Sequence, residues 1–311
     1  MGLKARAYCS SANLGSGFDL VAVALNTFYD EVAVVDYKSS DKPEVEIVDI
    51  KGPYGEEVPR ELNTAKQAVE YMLRDKKLSY KVCLELWKGI PVEKGLGSSA
   101  ASAVAAVLAV SKVLGVELSR EEAISYAGEG EVVSAGTRHY DSVAASYLGH
   151  VVVLYNLNPL KVLHIKPPVD PLFLIVLPQV KAPLRKTSIV RSIIPRKVPL
   201  EIHVRNSARL AALIYGLTTG NLSVLGEGMF DEIVEPAREV YVPLYRRVKR
   251  TALTAGAKGV AISGAGPSLI VLVNEEKAVD VEKAIREVYE DEGIAVEIKQ
   301  ARLAPPAYIV D

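Results

Sequence analysis

Two glycines and two serines stand at the entrance of an alanine-rich run in "VEKGLGSSAASAVAAVLAV", residues 92–110. Gly95 and Gly97 permit positive φ and close backbone approach. Successive N–H groups in such a turn can point inward as a nest for an anion. The helix that the alanines predict adds its free N–H groups and the positive end of its dipole. Ser98 and Ser99 can cap that helix, or offer a hydroxyl to a phosphate or to Mg²⁺. The segment is not the common P-loop, because no Gly-Lys-Ser/Thr follows the glycines and Lys94 precedes them. Two readings stand open: a phosphate cradle, or a glycine-rich turn with a serine cap.

Two further segments share this chemistry. "SSANLGSGFDLVAVAL" occupies residues 10–25, and "GVAISGAGPSLIVLV" occupies residues 259–273. The second holds another glycine loop, residues 263–268, between two strand-like runs. Polar and charged side chains with binding chemistry cluster in "GEGEVVSAGTRHYDSVAASYLG", residues 128–149, and in the basic, proline-broken "APLRKTSIVRSIIPRKVP", residues 182–199. The latter reads as a surface loop with a short helix, and long loops in compact enzymes often carry function.

The elements that must position these groups are mixed throughout. Alternating or continuous β-branched runs predict strands at 4–10, 31–37, 45–48, 81–87, 150–155, 172–177, 259–262, 269–273 and 295–299. Helical periodicity marks 63–74, 99–114, 120–127, 203–217, 242–255 and 276–290. Such mixing predicts a layered α+β protein. The prolines of "NLNPLKVLHIKPPVDP" suggest two domains, 1–157 and 158–311.

Composition excludes several classes. The 311 residues are 49% hydrophobic and 24% charged, with a formal net charge of −1, which argues for a globular protein with no electrostatic case for nucleic acid or an acidic membrane. No apolar run is long enough to cross a bilayer. Cys9 and Cys83 lie in no metal-type spacing and make no disulfide framework, and the first fifteen residues lack the apolar core of a signal peptide, so the expectation is cytoplasmic. Cys9 is expected to pack inside a strand.

The three glycine segments, in this order, resemble the three motifs of the GHMP kinases, which phosphorylate small molecules with ATP. The outer segments resemble the homoserine kinase branch. "SSANLGSGFD" is similar to its first motif, usually Ser-Ala-Asn-Leu-Gly-Pro-Gly-Phe-Asp. Residues 128–149 are similar to its glutamate-then-His-x-Asp segment. "TSIVRSIIP" resembles its Thr-x-x-x-Arg-x-x-x-Pro, and "DEIVEPAREVYVP" the segment with a further arginine. The resemblance covers most of the chain. It implies a two-domain fold, ribosomal-protein-S5-like then ferredoxin-like, with the active site in the cleft between; family members are commonly dimers, so a homodimer is expected.

The implied substrate is L-homoserine, a small zwitterion with a terminal hydroxyl. Its carboxylate suits the guanidinium of Arg191 or Arg238, and its ammonium the carboxylates of Asp19 and Asp141. Asn13, His139 and Thr187 complete the implied pocket. The implied ATP site takes Lys94, Gly95, Leu96, Gly97, Ser98, Ser99 and Ala100, with Asn63 near the adenine, although an asparagine before a helix is also an ordinary N-cap. Ser99 and Glu131 are the implied Mg²⁺ ligands, with Glu129 competing for the second place. No general base stands out; Asp141 is the nearest candidate, Arg191 would neutralise charge, and Ser142 stands where the family usually has an asparagine close to the reacting hydroxyl. Two rivals remain. One is a mevalonate- or shikimate-type kinase, although the first expects a lysine that "SSANLG" lacks and the second lacks a His-x-Asp segment of this kind. The other is a non-catalytic ATP-binding regulator on the same fold.

Overall fold

The computed structural model describes residues 2–135, 138–180 and 186–310, without the side chains of 133–135 and 186–188. Two sheets organise the described residues. The first has the order β11-β1-β2-β4-β3, with β5 also on β2 and β6 on β5. Its strands are β1 (Lys4–Ala12), β2 (Val21–Ser39), β3 (Glu44–Lys51), β4 (Tyr80–Lys88), β5 (Val151–Leu157), β6 (Leu160–Ile165) and β11 (Tyr308–Val310). β2 is long enough to pair with β5 through Val21, Ala22 and Val23 and with β4 from Asp30 onward.

Four helices lie with this sheet: α1 (Thr64–Asp75), α2 (Ser98–Val113), α3 (Arg120–Ala135) and α4 (Tyr140–Leu148). α2 is the hub. Ala100, Ala101, Ala103, Ala105, Ala106 and Ala109 are all fully buried. A helix apolar on every side must be wrapped by other elements, and small alanines let β1, β2, α1, α3 and α4 close around it.

The second sheet is antiparallel, β10-β7-β9-β8, built from β7 (Leu172–Pro178), β8 (Gly259–Ile262), β9 (Leu269–Val273) and β10 (Val296–Ala301). Its second core joins Leu174, Val176 and Val271 to Val248 and Ala252 of α9 (Tyr245–Thr254) and to Val281 and Ile285 of α10 (Glu275–Glu290). Between β7 and α9 run α5 (Lys186–Ser192), α6 (Leu200–Thr219), α7 (Leu222–Gly228) and α8 (Glu235–Arg238).

This matches the α+β expectation. The hairpin β5–β6 straddles the expected division at 157/158, and β11 returns to β1, so Tyr308–Val310 pair within the first sheet. Cys9 is buried with its thiol donating to Leu25 O, and burial pushes that thiol up to about 12. It is packing, not chemistry.

Candidate active site

The α2 entrance is defined by how closely other motifs approach it. Gly97 is the N-cap, with φ 65°; a Cβ there would lie 2.2 Å from Ser10 Oγ. Gly95 has φ 77°, and its Cβ would lie 2.2 Å from Ser263 O. Both positions need glycine for backbone conformation and for space. The three motifs are then stitched together. Ser10 N donates to Leu96 O at 3.0 Å, Gly264 N to Ala12 O at 3.1 Å, and Ser268 N to Lys94 O at 3.3 Å. Ser263 Oγ lies 2.8 Å from both Ser11 Oγ and Gly95 O.

What this stitching leaves open is the helix end itself. Among the described residues no acceptor meets the N–H groups of Ser98, Ser99 or buried Ala100, as expected of a first helical turn. The two serines differ. Ser98 Oγ donates to Ile90 O at 3.2 Å, whereas the hydroxyl of half-buried Ser99 has no such tie among the described residues. Lys94 turns away from the entrance: its Nζ donates to Pro178 O and Val180 O at 3.3 and 2.9 Å, and burial lowers its pKa.

Beneath the entrance sits a group that sequence reasoning missed. Asp30 and Lys88, 0% and 2% exposed, face each other across β2 and β4. Lys88 Nζ donates to the Asp30 carboxylate, to Ser102 Oγ at 2.6 Å and to Ser98 O at 3.1 Å. Asp30 also accepts the N–H groups of Gly89 and Ile90, at 3.0 Å each. The ion pair fixes α2 to the end of β4.

A cavity of about 680 Å³ opens beside α4 and α5, a size typical of small-molecule sites. Asp19, His139, Asp141 and Arg191 line it, with Glu129 and Arg138 paired at 2.7 Å. Leu154, Leu157 and Asn158 of the β5–β6 hairpin form another part of its lining, unforeseen from sequence. Asp19 has φ 58°, a left-handed backbone held by its N–H to Asn13 Oδ1 at 3.1 Å. Asn13 Nδ2 in turn donates to Gly264 O at 3.1 Å, and Arg238 Nη1 to the same oxygen at 2.7 Å. One carbonyl of the C-terminal glycine loop thus anchors both Asn13 and Arg238. The buried Arg238 Nε meets no described acceptor. Phe18 is within reach of both arginines: the Arg191 and Arg238 guanidinium carbons stand 5.6 and 5.0 Å from its ring centre.

Charge is concentrated deeper in the cavity. Asp141 is 3% exposed, and burial first, then the charge of Asp19, raises its carboxyl to about 6. His139 occupies the N-cap position of α4 without a side-chain cap bond. Its Nδ1 lies 3.6 Å from Glu131 Oε2. Burial opposes a charge on His139, but the Glu131 carboxylate outweighs it and raises the imidazole pKa. Two contacts bring Glu131 towards the α2 entrance. Gly130 packs so tightly that a Cβ would lie 2.4 Å from Thr64 O, and Thr64 Oγ1 donates to Ser99 O at 3.0 Å.

The remaining expectations divide. Asn63 is the N-cap of α1, accepting from Ala65 N at 3.0 Å and donating to Pro59 O at 3.2 Å, so its side chain is engaged in capping. Ser142 does not line the cavity; its N–H donates to Asp141 Oδ1 at 2.8 Å. The side chain of Thr187 lies outside the described residues. Glu129, the rival of Glu131, is spent on Arg138.

Comparison with known proteins is consistent with this geometry. Residues 63–150 match the family "GHMP kinases N terminal domain" and residues 213–291 match "GHMP kinases C terminal". The homoserine kinase of Pyrobaculum islandicum is 41% identical over 302 residues, covering 97% of this chain and 98% of the relative. That of Aeropyrum pernix is 41% identical over 286 residues, 91% of each chain. The crystal structure of homoserine kinase from Cytophaga hutchinsonii superposes with a TM-score of 0.89 at 31% identity, covering 99% of this chain and 97% of that one. With both family domains in order and relatives alike over nearly their whole length, the chain belongs to the GHMP kinases.

Proposed function

We propose that this enzyme transfers the γ-phosphoryl group of ATP to the side-chain hydroxyl of L-homoserine, giving O-phospho-L-homoserine. The observation that carries the reading is a cavity offering both carboxylate and guanidinium partners, Asp19 and Asp141 with Arg191, next to a stitched glycine entrance. A zwitterionic alcohol matches that charge set; mevalonate and shikimate bring no ammonium. The homoserine kinase relatives, alike over nearly the whole chain, support the same choice.

In this reading the phosphates lie on residues 95–100, the glycine turn and the open N–H groups at the start of α2, where the helix dipole favours negative charge. The donors at hand fit Mg²⁺: a hydroxyl from Ser99 and a carboxylate from Glu131 are hard oxygens, and Mg²⁺ usually takes only one or two carboxylates beside phosphate and water. Bound there, the ion would neutralise phosphate charge. Arg191 and Arg238 receive the substrate carboxylate, Asp19 and Asp141 its ammonium, and His139 orients against Glu131. Phosphoryl transfer has a loose transition state, so fixing the hydroxyl in line does most of the work and no dedicated base is needed. Two free thiols, Cys9 and Cys83, suit a reducing cytoplasm.

The test is a coupled assay with ATP and Mg²⁺ against L-homoserine, mevalonate, shikimate, galactose and L-threonine. Homoserine is expected to lead in kcat/KM by about 100-fold or more. Preference for mevalonate or shikimate overturns the substrate. Transfer to none of them, with ATP still bound, favours the regulator.

A further inference from the structure

Arg191 and Asp19 already satisfy each other. Nη1 lies 3.1 Å from Oδ1 and Nη2 2.5 Å from Oδ2, a two-pronged geometry that is the strongest form of this pair. Both side chains are about two-thirds buried, 34% and 30% exposed. Neither carboxylate oxygen of Asp19 has another described hydrogen-bond donor. Each partner is also held from behind. The left-handed backbone of Asp19 is tied to Asn13, and the Arg191 guanidinium lies over Phe18. The pair is therefore preformed, and it lines the same cavity as buried Asp141.

We propose that the Asp19–Arg191 ion pair is a latch that selects zwitterions over singly charged alcohols. This rests on reading the cavity as an amino-acid site. An α-amino acid opens the latch evenly, its carboxylate replacing Asp19 on Arg191 and its ammonium replacing Arg191 on Asp19. A hydroxy acid takes Arg191 but leaves Asp19 partly buried without a cation. An amino alcohol does the reverse. In each of those cases the ligand must break a bidentate pair and return only half of it.

Simple charge complementarity makes a weaker claim, and the two separate cleanly. Consider γ-hydroxybutyrate, which is homoserine without its amine. If Asp19 is only an ammonium contact, Asp19→Asn changes this ligand's affinity by no more than the long-range repulsion it removes. If Asp19 occupies Arg191, the substitution frees the guanidinium and binding tightens by the reciprocal of the fraction of time the latch stands open, about tenfold for a latch open one-tenth of the time. Asp141→Asn removes the same charge from the same cavity without touching Arg191's partner, and so measures the contribution of long-range repulsion.

The experiment is ligand-observed NMR titration of the full chain at 0.15 M salt or above, where long-range charge is screened over about 8 Å. Asp19→Asn is expected to tighten γ-hydroxybutyrate about tenfold, against about threefold or less for Asp141→Asn. Arg191→Gln is expected to tighten the amino alcohol left when homoserine loses its carboxylate, which keeps the idea testable should Asp19→Asn fail to fold. Equal gains from Asp19→Asn and Asp141→Asn, or no gain in either arm, overturn the latch. A wild-type protein that binds homoserine while the variants gain nothing loses the latch alone. A wild-type protein that does not bind homoserine loses the amino-acid reading, and the latch with it.

Discussion

Lys88 Nζ donates to the carbonyl oxygen of Ser98 at 3.1 Å, so a buried ammonium holds the first residue of α2. The same ammonium is paired with Asp30, which has no exposure at all. Removing one partner of such a pair strands the other charge and costs about 3–5 kcal/mol. Lys88→Met is expected to lower stability by that amount in denaturant titration. The double variant Lys88→Met, Asp30→Leu is expected to recover most of it, because apolar replacement of a whole buried pair is often neutral. Its KM for ATP is expected to stay raised, since the tie to Ser98 is still gone. A double variant with wild-type ATP kinetics removes Lys88 from any role at the helix entrance.

That pair also shows where the sequence falls silent. Asp30 and Lys88 fall just outside the strands that the sequence predicts at 31–37 and 81–87, where a charge reads as solvated. Only the antiparallel register of β2 with β4, which sets Asp30 opposite Lys88, turns them into a buried couple. The three glycine segments were legible because close backbone approach leaves no choice of residue. Their meeting was not, since Gly97 contacts Ser10 and Gly95 contacts Ser263 across long separations. The alanine run gave α2 to within one residue. The first half of β2 escaped, because a bulge between Tyr8 and Cys9 shifts its pairing with β1 and exposed Asn26 interrupts the apolar run. α4 escaped as well: Val143, Ala144, Ala145 and Ser146 are all buried, so no polar face marks its period.

Phe18 belongs to the first motif, yet its task appears only in three dimensions. Its ring centre is 5.0 Å from the Arg238 guanidinium carbon and 5.6 Å from that of Arg191. A cation over a ring gains about 0.5–2 kcal/mol depending on desolvation. Phe18→Leu keeps the apolar bulk and loses the ring. The homoserine KM is expected to rise about fivefold to tenfold, with the ATP KM unchanged and the effect largely absent in Phe18→Tyr. Equal losses in the leucine and tyrosine variants would mean that shape matters and the ring's charge distribution does not.

Asp141 supplies the pH dependence. Its carboxyl is raised to about 6 by burial and then by Asp19, while His139 pulls the other way. In the unfolded chain an aspartate titrates near 3.9. The fold therefore binds the proton more tightly, so this group's contribution to stability is complete below about pH 4 and is lost as pH rises through about 6. Asp141→Asn removes the charge and is expected to raise Tm by about 2–4 °C at pH 7.5 and to change it little at pH 4. Function moves in the opposite sense. An ammonium needs the charged carboxylate, so homoserine affinity in the wild type is expected to weaken as pH falls from 7 to 5, and Asp141→Asn to bind homoserine poorly with that pH dependence flattened. The two readouts separate a packing role from a binding one. An asparagine variant that gains stability at neutral pH and keeps full homoserine affinity places the ammonium elsewhere in the cavity, with Asp19 as its remaining partner.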